Sequence, residues 1–441
     1  MNVIVVGAGR MGLPLACAIA ESGARVTACD VNPAIVDAIN AGTSPYDEPG
    51  LDTHLARNHA AGRLVATTDT TGAARDADAI IIIVPAHLTP ERDIDYSILC
   101  AASEAVGKGI KKGALLSYET TVAVGGTRGV LIPVVERASG LRAGRDFFAC
   151  FSPERVKARF VFEKLRETPK VVGGYDAASA EAGAAFYRRH LGARVINVDT
   201  LEAAELVKLS GMIYRDVNIA LANELAAYCE AVGGDYWRIA EASNDDDETH
   251  LLFPGIGVGG HCTPVYPYFI IRDGERRGVM QHLAASARAI NDAQPERNAE
   301  RLARAWAPLD GKRVHILGLS FRPDVKVDIF STAYPLGAAL RARGARVTLE
   351  DPWYSDEEIC AAGFATACAG RDPLDAVILN TAHSAFRNPD FSQWRAAGIE
   401  AVLDGRNCWE RAAVERAGLI YLGVGRGAPG AGMRMRNKGR S

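Results

Sequence analysis

Three glycines near the start of the chain have a spacing that can hold a phosphate group. In "GAGRMG", Gly7, Gly9 and Gly12 follow a short apolar strand and open a helix-forming segment. In that context Gly7 permits a tight turn, Gly9 lets a pyrophosphate approach the backbone, and Gly12 lets strand and helix pack closely. The N-terminus of the helix attracts the anion. The pattern predicts a dinucleotide site.

An acidic residue, Asp30, ends the second predicted strand, eighteen residues beyond Gly12. Its carboxylate can accept hydrogen bonds from both ribose hydroxyls and would repel a 2′-phosphate, so NAD is favoured over NADP. The other expected cofactor contacts are Arg10, Met11, Val84, Pro85 and Thr121. NAD implies hydride transfer, so the site should also contain a base, a nucleophile and a group that binds the substrate.

A single cysteine, Cys262, lies in the glycine- and proline-rich run "GIGVGGHCTPVYP". Neither a helix nor a central strand persists easily in such a run, which predicts a rigid loop with exposed backbone. A thiol in a polar, partly open pocket can act as a nucleophile. The other cysteines show no CxxC pair or metal-like histidine spacing, so we expect reduced thiols and no metal site.

Three polar residues in other segments are candidates for acid–base chemistry. Lys208 lies among apolar residues of a long helix-compatible segment, a setting compatible with a buried ammonium, although a lone helical lysine is usually solvated. Glu154 follows a proline in "SPERV", and Thr121 lies in "YETTVAVGGT". Taken alone, these two would be a surface carboxylate and a strand threonine.

Composition limits the partners. The chain of 441 residues has 48% hydrophobic and 23% charged residues, which is typical of globular proteins and predicts two or three domains. Its 50 basic and 53 acidic residues offer no broad attraction to nucleic acid or anionic membrane. No apolar run has membrane-spanning length, and the start enters a strand without the features of a signal peptide, so we expect a cytoplasmic protein.

The elements that must position these residues alternate between apolar strands and helices. The strands predicted in the first part of the chain are 3–6, 24–30, 77–85 and 113–122. Residues 201–232 contain one glycine and no proline, which predicts a long helix, and the strand–helix pattern restarts after Gly311. We predict an α/β fold with two Rossmann-like, doubly wound domains joined by a long central helix.

Together these segments resemble the UDP-glucose/GDP-mannose dehydrogenase family, whose members oxidise C6 of a nucleotide-sugar from alcohol to carboxylate with two NAD. The resemblance runs from residue 1 to about 423, through the glycine turn, "TTV", "PER", "RDVNIALANE", "GVGGHC" and "LGLSFRPDVK". The helix and cysteine motifs look closest to the branch that acts on UDP-N-acetylhexosamines. The resemblance implies a homodimer formed through the central helix and a place in polysaccharide biosynthesis.

The resemblance also implies a division of the chain and a role for each site residue. The expected domains are 1–198 for NAD binding, 199–300 for catalysis and dimerisation, and 301–425 for nucleotide-sugar binding, with a disordered tail at 426–441. Cys262 would capture the C6 aldehyde as a thiohemiacetal, Lys208 would stabilise oxyanions, and Glu154 with Thr121 would hold a water. The expected substrate contacts are Glu154, Arg155, Lys208, Asn218, Gly259, Gly260, Phe321 and Arg322.

Some of these roles have alternatives. The Arg322 guanidinium can bind a diphosphate in bidentate fashion, whereas Asn218 either binds substrate or caps neighbouring segments. An apolar stripe on the central helix would serve a dimer or a plain core equally. His261, beside the thiol, is interpreted as a local hydrogen-bonding residue, with a role as base left open.

The chain departs from the family pattern at four positions. The asparagine one turn after the lysine is Met212, the aspartate four residues after the cysteine is Tyr266, and the last domain's arginine aligns with Ile329. The arginine before the cysteine loop aligns with Glu248 or His250. Substrate recognition and water activation are therefore the functions that these changes touch.

The leading interpretation is an NAD-dependent nucleotide-sugar 6-dehydrogenase acting on UDP-N-acetylglucosamine or UDP-N-acetylmannosamine. UDP- or dTDP-glucose is the second choice of substrate. A degenerate homologue that binds nucleotide-sugar without turnover is the alternative from another class. Retention of Lys208, Glu154, Thr121 and Cys262 together argues against that alternative.

Overall fold

The computed structural model describes residues 1–156 and 161–427. The chain forms two compact units. The first comprises Met1–Gly211 with Tyr268–Val279, and the second comprises Met212–Pro267 with Met280–Ser441.

A mainly parallel sheet forms the centre of the first unit. Its described strands are β1 (Asn2–Val6), β2 (Arg25–Cys29), β3 (Leu64–Thr67), β4 (Ala79–Ile82), β7 (Leu115–Tyr118), β8 (Phe148–Phe151), β9 (Lys170–Gly174) and β10 (Val195–Thr200). Two short strands, β5 (His87–Leu88) and β6 (Ile94–Asp95), pair with each other as a separate hairpin. The order is β10-β9-β8-β7-β4-β1-β2-β3, and β8 and β9 are antiparallel. Strand β4, "AIII", is buried throughout, as expected for a strand covered on both faces.

Helices connect these strands. They are α1 (Gly12–Glu21), α2 (Pro33–Asn40), α3 (Leu51–Ala60), α4 (Thr70–Ala74), α5 (Ser97–Gly107), α6 (Ile132–Ser139), α7 (Val161–Glu167) and α8 (Ala177–Leu191), with a π-helical turn at Thr127–Leu131. Local sequence explains their starts. Asn32 caps α2 by accepting a hydrogen bond from the N–H of Ala34, and Pro33 occupies the first helical position, where it costs no hydrogen bond.

The long helix α9 (Leu201–Val232) is a single uninterrupted element of 32 residues. At 1.5 Å per residue it is about 48 Å long. Its residues up to Gly211 belong to the first unit, and those from Met212 belong to the second. The predicted bounds of this helix, 201–232, are confirmed.

The second unit contains a parallel sheet. Its described strands are β11 (Arg313–Leu317), β12 (Arg346–Glu350), β13 (Ala365–Thr366), β14 (Ala376–Leu379), β15 (Ala401–Asp404) and β16 (Ile420–Gly423). Its order, β13-β12-β11-β14-β15-β16, is that of a doubly wound sheet. The remaining helices are α10 (Tyr236–Ser243), α11 (Tyr266–Arg277), α12 (His282–Asp292), α13 (Gln294–Ala305), α14 (Ala333–Arg341), α15 (Asp356–Ala361), α16 (Phe391–Ala396) and α17 (Arg411–Arg416), with a 3-10 turn at Ser384–Phe386.

The predicted fold class, two Rossmann-like domains and a long central helix, is confirmed. The domain boundaries at 198, 300 and 425 remain predictions. The predicted tail, 426–441, lies outside the described residues except for Arg426 and Gly427, whose N–H groups donate to Gly423 and Gly234. None of the helices in the described ranges has both the length and the apolarity that a membrane crossing requires.

Candidate active site

The glycine turn of the first unit has the geometry that its sequence predicts. Gly7 has φ +102°, and a Cβ there would lie 3.0 Å from Cγ1 of Val84. A Cβ on Gly12 would lie 1.9 Å from the carbonyl oxygen of Gly7, so only glycine permits this approach of helix and strand. A Cβ on Gly9 would meet open space, which is where a pyrophosphate needs to come close.

Asp30 lies after β2 with both carboxylate oxygens facing backbone N–H groups. Oδ2 accepts from Ala8 at 3.0 Å and Oδ1 accepts from Asn32 at 2.9 Å. Each oxygen has a second lone pair, so the fixed carboxylate can still accept ribose hydroxyls. The residues present therefore fit a dinucleotide with an unmodified ribose.

The other predicted cofactor residues follow neighbouring strands or belong to the turn. Val84 and Pro85 follow β4, and Thr121, which is buried, follows β7. These strands pair beside β1, and the carboxyl ends of parallel strands meet at one edge of a sheet. Met11 precedes α1, and the Arg10 guanidinium lies 5.5 Å from the ring centre of Tyr46.

A buried charge cluster lies beside the "SPERV" segment. The Lys170 ammonium contacts Oε2 of Glu119 and lies 3.3 Å from Oε2 of Glu154. Oε1 of Glu119 accepts from the Tyr187 hydroxyl at 2.7 Å. The side chains of Lys170 and Glu119 are 7% and 0% exposed, and that of Glu154 is 11% exposed. Sequence reasoning missed Lys170 and Glu119, because nothing local distinguishes a buried charge from a solvated one.

Glu154 is held by its backbone surroundings as well as by this cluster. Its Oε1 accepts from the N–H groups of Arg155 and Val156, both at 2.6 Å. Burial alone would raise the pKa of Glu154, but the Lys170 ammonium, the Val156 N–H and the Lys208 ammonium together outweigh burial, and this pKa lies below its ordinary value. Glu154 is therefore a carboxylate, able to accept a proton or orient a water.

Lys208 reaches the same segment from α9. Its Nζ donates to the main-chain oxygen of Glu154 at 2.5 Å. The structure thus brings together Lys208 and Glu154, two of the residues expected from the resemblance. Arg155, expected at the substrate, instead donates from its guanidinium to the carbonyl of Pro169; its substrate role remains a prediction.

One turn before Lys208 on α9, Glu205 holds the segment that follows Thr121. Its carboxylate accepts from the N–H of Gly125 at 2.6 Å and from the N–H of Thr127 at 2.9 Å. Burial raises the pKa of Glu205 to about 7, although both backbone donors favour the ionised form. A buried carboxylate with two N–H donors explains how "VAVGGT" keeps one conformation.

The cysteine loop belongs to the second unit. The Cys262 side chain is exposed, whereas Cys17, Cys29, Cys150 and Cys229 are buried. The carbonyl of Cys262 accepts from the N–H of Tyr266, at 2.9 Å, where α11 begins. Next to the thiol, Nδ1 of His261 lies 3.2 Å from the Tyr266 hydroxyl. The thiol is thus presented at the start of a helix by a fixed backbone.

Two predicted substrate-contact glycines in this loop pack against Phe321. A Cβ on Gly260 would come within 2.7 Å of the Phe321 ring, and one on Gly259 would come within 2.7 Å of its Cβ. Gly260 has φ +94°, and its N–H donates to the carbonyl of Ile329 at 3.1 Å. The two glycines therefore lie against Phe321. The sequence predicted only that all three residues contact the substrate.

A chain of buried polar groups anchors the start of the loop. The N–H of Gly255 donates to Asn223 at 3.0 Å, and the Asn223 amide donates to Asn291 at 2.9 Å. Asn291 donates to Oδ1 of Asp216 at 2.8 Å, and Nε of Arg288 donates to Oδ2 of Asp216 at 2.8 Å. The loop is thereby tied to α9 and α12 by groups that cannot exchange their partners for water.

Asn218 braces the segment before the loop. Its Oδ1 accepts from the N–H of Leu252 at 2.9 Å, and its Nδ2 donates to the carbonyl of His250 at 2.6 Å. Both the oxygen and the nitrogen of the amide therefore bind backbone groups, as expected if Asn218 caps a neighbouring segment. A role in substrate binding, like that of the partly buried Arg322, remains a prediction.

The first turn of the second sheet is filled by a side chain. Oδ2 of Asp351, after β12, accepts from the N–H groups of Leu319 and Ser320 at 2.8 and 2.9 Å. It also lies 3.0 Å from Nε2 of His383. The backbone donors that would face a phosphate already have a carboxylate, so the dinucleotide chemistry belongs to the first sheet.

Comparisons with known proteins agree with this geometry. Three models of the UDP-glucose/GDP-mannose dehydrogenase family match: its NAD binding domain over residues 1–191, its central domain over 202–293 and its UDP binding domain over 315–411. The UDP-N-acetyl-D-mannosamine dehydrogenase of Pyrococcus horikoshii is 29% identical over 97% of this chain and 100% of its own length. The UDP-N-acetyl-D-glucosamine 6-dehydrogenase of Pseudomonas aeruginosa is 30% identical over 90% of this chain and 94% of its own.

Solved structures show the same similarity in three dimensions. The UDP-D-ManNAc dehydrogenase from Pyrococcus horikoshii superposes with a TM-score of 0.87 at 29% identity, over 97% of this chain and 100% of that one. A UDP-glucose dehydrogenase from Pyrobaculum islandicum superposes with a TM-score of 0.86 at 28% identity, over 96% and 98% of the two chains. The protein belongs to the UDP-glucose/GDP-mannose dehydrogenase family and is an NAD-dependent oxidoreductase.

Proposed function

We propose that this protein oxidises the C6 hydroxyl of a UDP-N-acetylhexosamine to the uronate with two NAD. UDP-N-acetylmannosamine and UDP-N-acetylglucosamine are the favoured substrates, since relatives along most of the chain are named for them. The observation that carries the proposal is the exposed Cys262 on a loop whose backbone is hydrogen-bonded at Gly255 and at Tyr266. An alcohol-to-aldehyde dehydrogenase has no use for such a thiol, whereas the second oxidation of a four-electron dehydrogenase can proceed through its thiohemiacetal and thioester.

When bound, NAD would supply the hydride acceptor for each of the two oxidations. The residues that would hold it are Gly7, Gly9, Arg10, Met11, Gly12, Asp30, Val84, Pro85 and Thr121. In the first oxidation Glu154, kept ionised, accepts the hydroxyl proton through a water that Thr121 helps to hold. Lys208 provides positive charge to the oxygen as negative charge develops on it.

The second oxidation uses Cys262. The thiolate adds to the C6 aldehyde, forming a C–S bond and an alkoxide that Lys208 stabilises. Loss of hydride from C6 then converts this thiohemiacetal into a thioester, and water attacks the thioester carbon, releasing the thiolate and the carboxylate. One alcohol and one water thus give one carboxylate, two NADH and three protons.

Water activation is the step that the unusual residues of this chain affect. Met212 has only a thioether sulfur, a weak acceptor, with which to hold a water, and the Tyr266 side chain, which is buried, pairs with His261. Neither residue supplies the amide or carboxylate that the family pattern has at these positions. Hydrolysis is therefore left to Glu154 and Lys208, and we expect it to be slower than hydride transfer.

The first prediction concerns substrate and stoichiometry. With a panel of nucleotide-sugars, a UDP-N-acetylhexosamine should give the fastest NADH formation, at two equivalents per sugar. Faster turnover of UDP-glucose or dTDP-glucose would move the assignment to the second candidate, which the Pyrobaculum structure supports. No NADH with any sugar, combined with nucleotide-sugar binding by calorimetry, would identify a non-catalytic binding protein.

The second prediction concerns the covalent intermediate. If hydrolysis is slow, intact-mass measurement during turnover should detect a nucleotide-sugar adduct on the wild-type protein. Cys262→Ala should form no adduct, whereas Cys360→Ala, which removes another exposed thiol, should retain it. One equivalent of NADH with free aldehyde trapped by hydroxylamine would contradict the thioester step.

The third prediction concerns the cofactor. Because Asp30 would repel a 2′-phosphate, kcat/KM should be much higher with NAD than with NADP. Asp30→Ala should narrow this ratio by about tenfold or more, since it removes both the ribose hydrogen bonds and the repulsion. Equal use of both cofactors by the wild-type protein would exclude this role for Asp30.

A homodimer through α9 is part of the same proposal. Tyr214, Leu221 and Tyr228 repeat at seven-residue intervals and are 56%, 43% and 66% exposed in the single chain. Seven-residue spacing puts these side chains on one face of a helix. Apolar side chains so exposed along one stripe support an interface between two copies.

The fourth prediction tests that interface. Light scattering after gel filtration should give a mass near twice the chain mass of 47.0 kDa. Leu221→Glu should shift it toward a monomer, whereas Ile98→Glu, at a residue of similar exposure on α5, should not. A monomeric wild-type protein at micromolar concentration would contradict the proposal.

A further inference from the structure

We propose that Lys170 is a positioning residue for the reaction, which keeps Glu154 ionised and orients its carboxylate toward a water. The inference rests on the proposed function, in which Glu154 relays protons. Lys170 itself need not touch substrate, because it acts through the carboxylate that it holds.

The geometry of β9 delivers the ammonium to Glu154. Lys170 is the first residue of β9, and its neighbour Pro169 is tied to the Arg155 guanidinium through its carbonyl oxygen. The start of the strand is thus linked to the residue after Glu154. The Lys170 ammonium also lies 5.0 Å from the ring centre of Tyr187, which restricts it further.

Fold stability does not account for this arrangement. Removing an ammonium and two carboxylates from water is unfavourable for each ion, and apolar side chains of similar volume often stabilise a core as well or better. Here a single ammonium serves both Glu119 and Glu154 in a nearly dry site. We therefore infer that the cluster serves to keep Glu154 charged rather than to stabilise the fold.

The charges around Glu154 support that requirement. The charged groups that act on Glu154 are Lys170, Lys208, Glu119 and Arg155, and the titratable Tyr187 and Cys150 adjoin Glu119. Burial raises the pKa of Glu119, whereas the two carboxylates raise the pKa of Lys170 despite its burial. Burial therefore disfavours the ionised form of Glu119, whereas the ionised form of Glu154 is favoured.

A small cavity adjoins the cluster. Its volume is about 10 Å³, and its lining includes Glu154, Arg155, Pro169 and Lys170. This is about the space that one buried water requires, and the carboxylate and ammonium supply polar partners for it. A water held there would help to fix the Glu154 carboxylate in place, and it would be separate from the water that Thr121 holds, because Thr121 does not line this cavity.

The test compares kcat/KM against pH in variants of Lys170. Lys170→Met should raise the acidic limb of the profile by about one pH unit or more, because Glu154 loses the opposite charge. We expect kcat to fall by about tenfold or more, with KM for the nucleotide-sugar changed by less than about twofold. Lys170→Arg should restore the limb, and the control Lys164→Met, which removes an exposed paired lysine, should not move it.

A second variant covers the case in which Lys170→Met fails to fold with Glu119 left unpaired. The double variant Lys170→Met/Glu119→Gln removes the ammonium together with that orphaned carboxylate. It should also raise the acidic limb. A limb that stays at the wild-type pH in a folded variant overturns the proposal, since a merely structural lysine would lower stability without moving the profile.

A direct measurement of Glu154 separates this proposal from the proposed function. In protein labelled with ¹³C at the glutamate carboxyl carbon, the signal lost in Glu154→Gln identifies Glu154. That signal should titrate at higher pH in the double variant than in the wild type. If the wild type oxidises no nucleotide-sugar but the signal shifts, only the proposed function fails; an unshifted signal overturns the role of Lys170 whatever the activity.

Discussion

Three polar side chains of α9, of which Glu205 and Asn223 are buried and Lys208 is partly buried, are the constraint on which three loops depend. A polar group removed from water must find a partner, or it costs the fold several kcal/mol. Glu205 finds Gly125 and Thr127, Lys208 finds the Glu154 carbonyl, and Asn223 finds Gly255. Each loop therefore has its conformation set by a helix that is itself continuous over 32 residues. Changing one of these side chains would release a particular loop rather than weaken the fold evenly.

The sequence allowed the fold class, the bounds of α9 and the glycine turn to be predicted, because each depends on local pattern. A stretch of about ten to thirty residues is enough to recognise an apolar strand, a helix-forming run or a glycine spacing. The Lys170 pair with Glu119 was not predictable in this way, since its partners are 51 residues apart. Asn218 remained open for the same reason: whether an amide faces a ligand or a neighbouring carbonyl depends on tertiary packing. The helices and strands could therefore be predicted from the sequence, whereas the tertiary partners of individual polar side chains could not.

The two Rossmann-like sheets show how the same architecture serves different purposes. In both, an aspartate after the second strand accepts a backbone N–H from the first turn. Asp30 keeps lone pairs for a ligand beside an open Gly9, whereas Asp351 fills the turn itself and is joined there by His383. The second turn is thereby made rigid, and it carries Phe321 against the glycines of the cysteine loop. The first sheet thus keeps a place for a dinucleotide, whereas the first turn of the second sheet supports a loop within the region that matches the family's UDP binding domain.

The two lysines near Glu154 make different contacts with this residue. A cation that neutralises a carboxylate has little attraction left for a developing oxyanion, because the two charges largely cancel at short range. Lys170 pairs with the Glu154 carboxylate, while the bond from Lys208 goes to the main-chain oxygen of the same residue, a neutral acceptor. The positive charge of Lys208 is therefore not cancelled at that contact. Both ammonium groups lower the pKa of Glu154, with the larger effect from Lys170, so Glu154 can be ionised while Lys208 donates to a neutral oxygen.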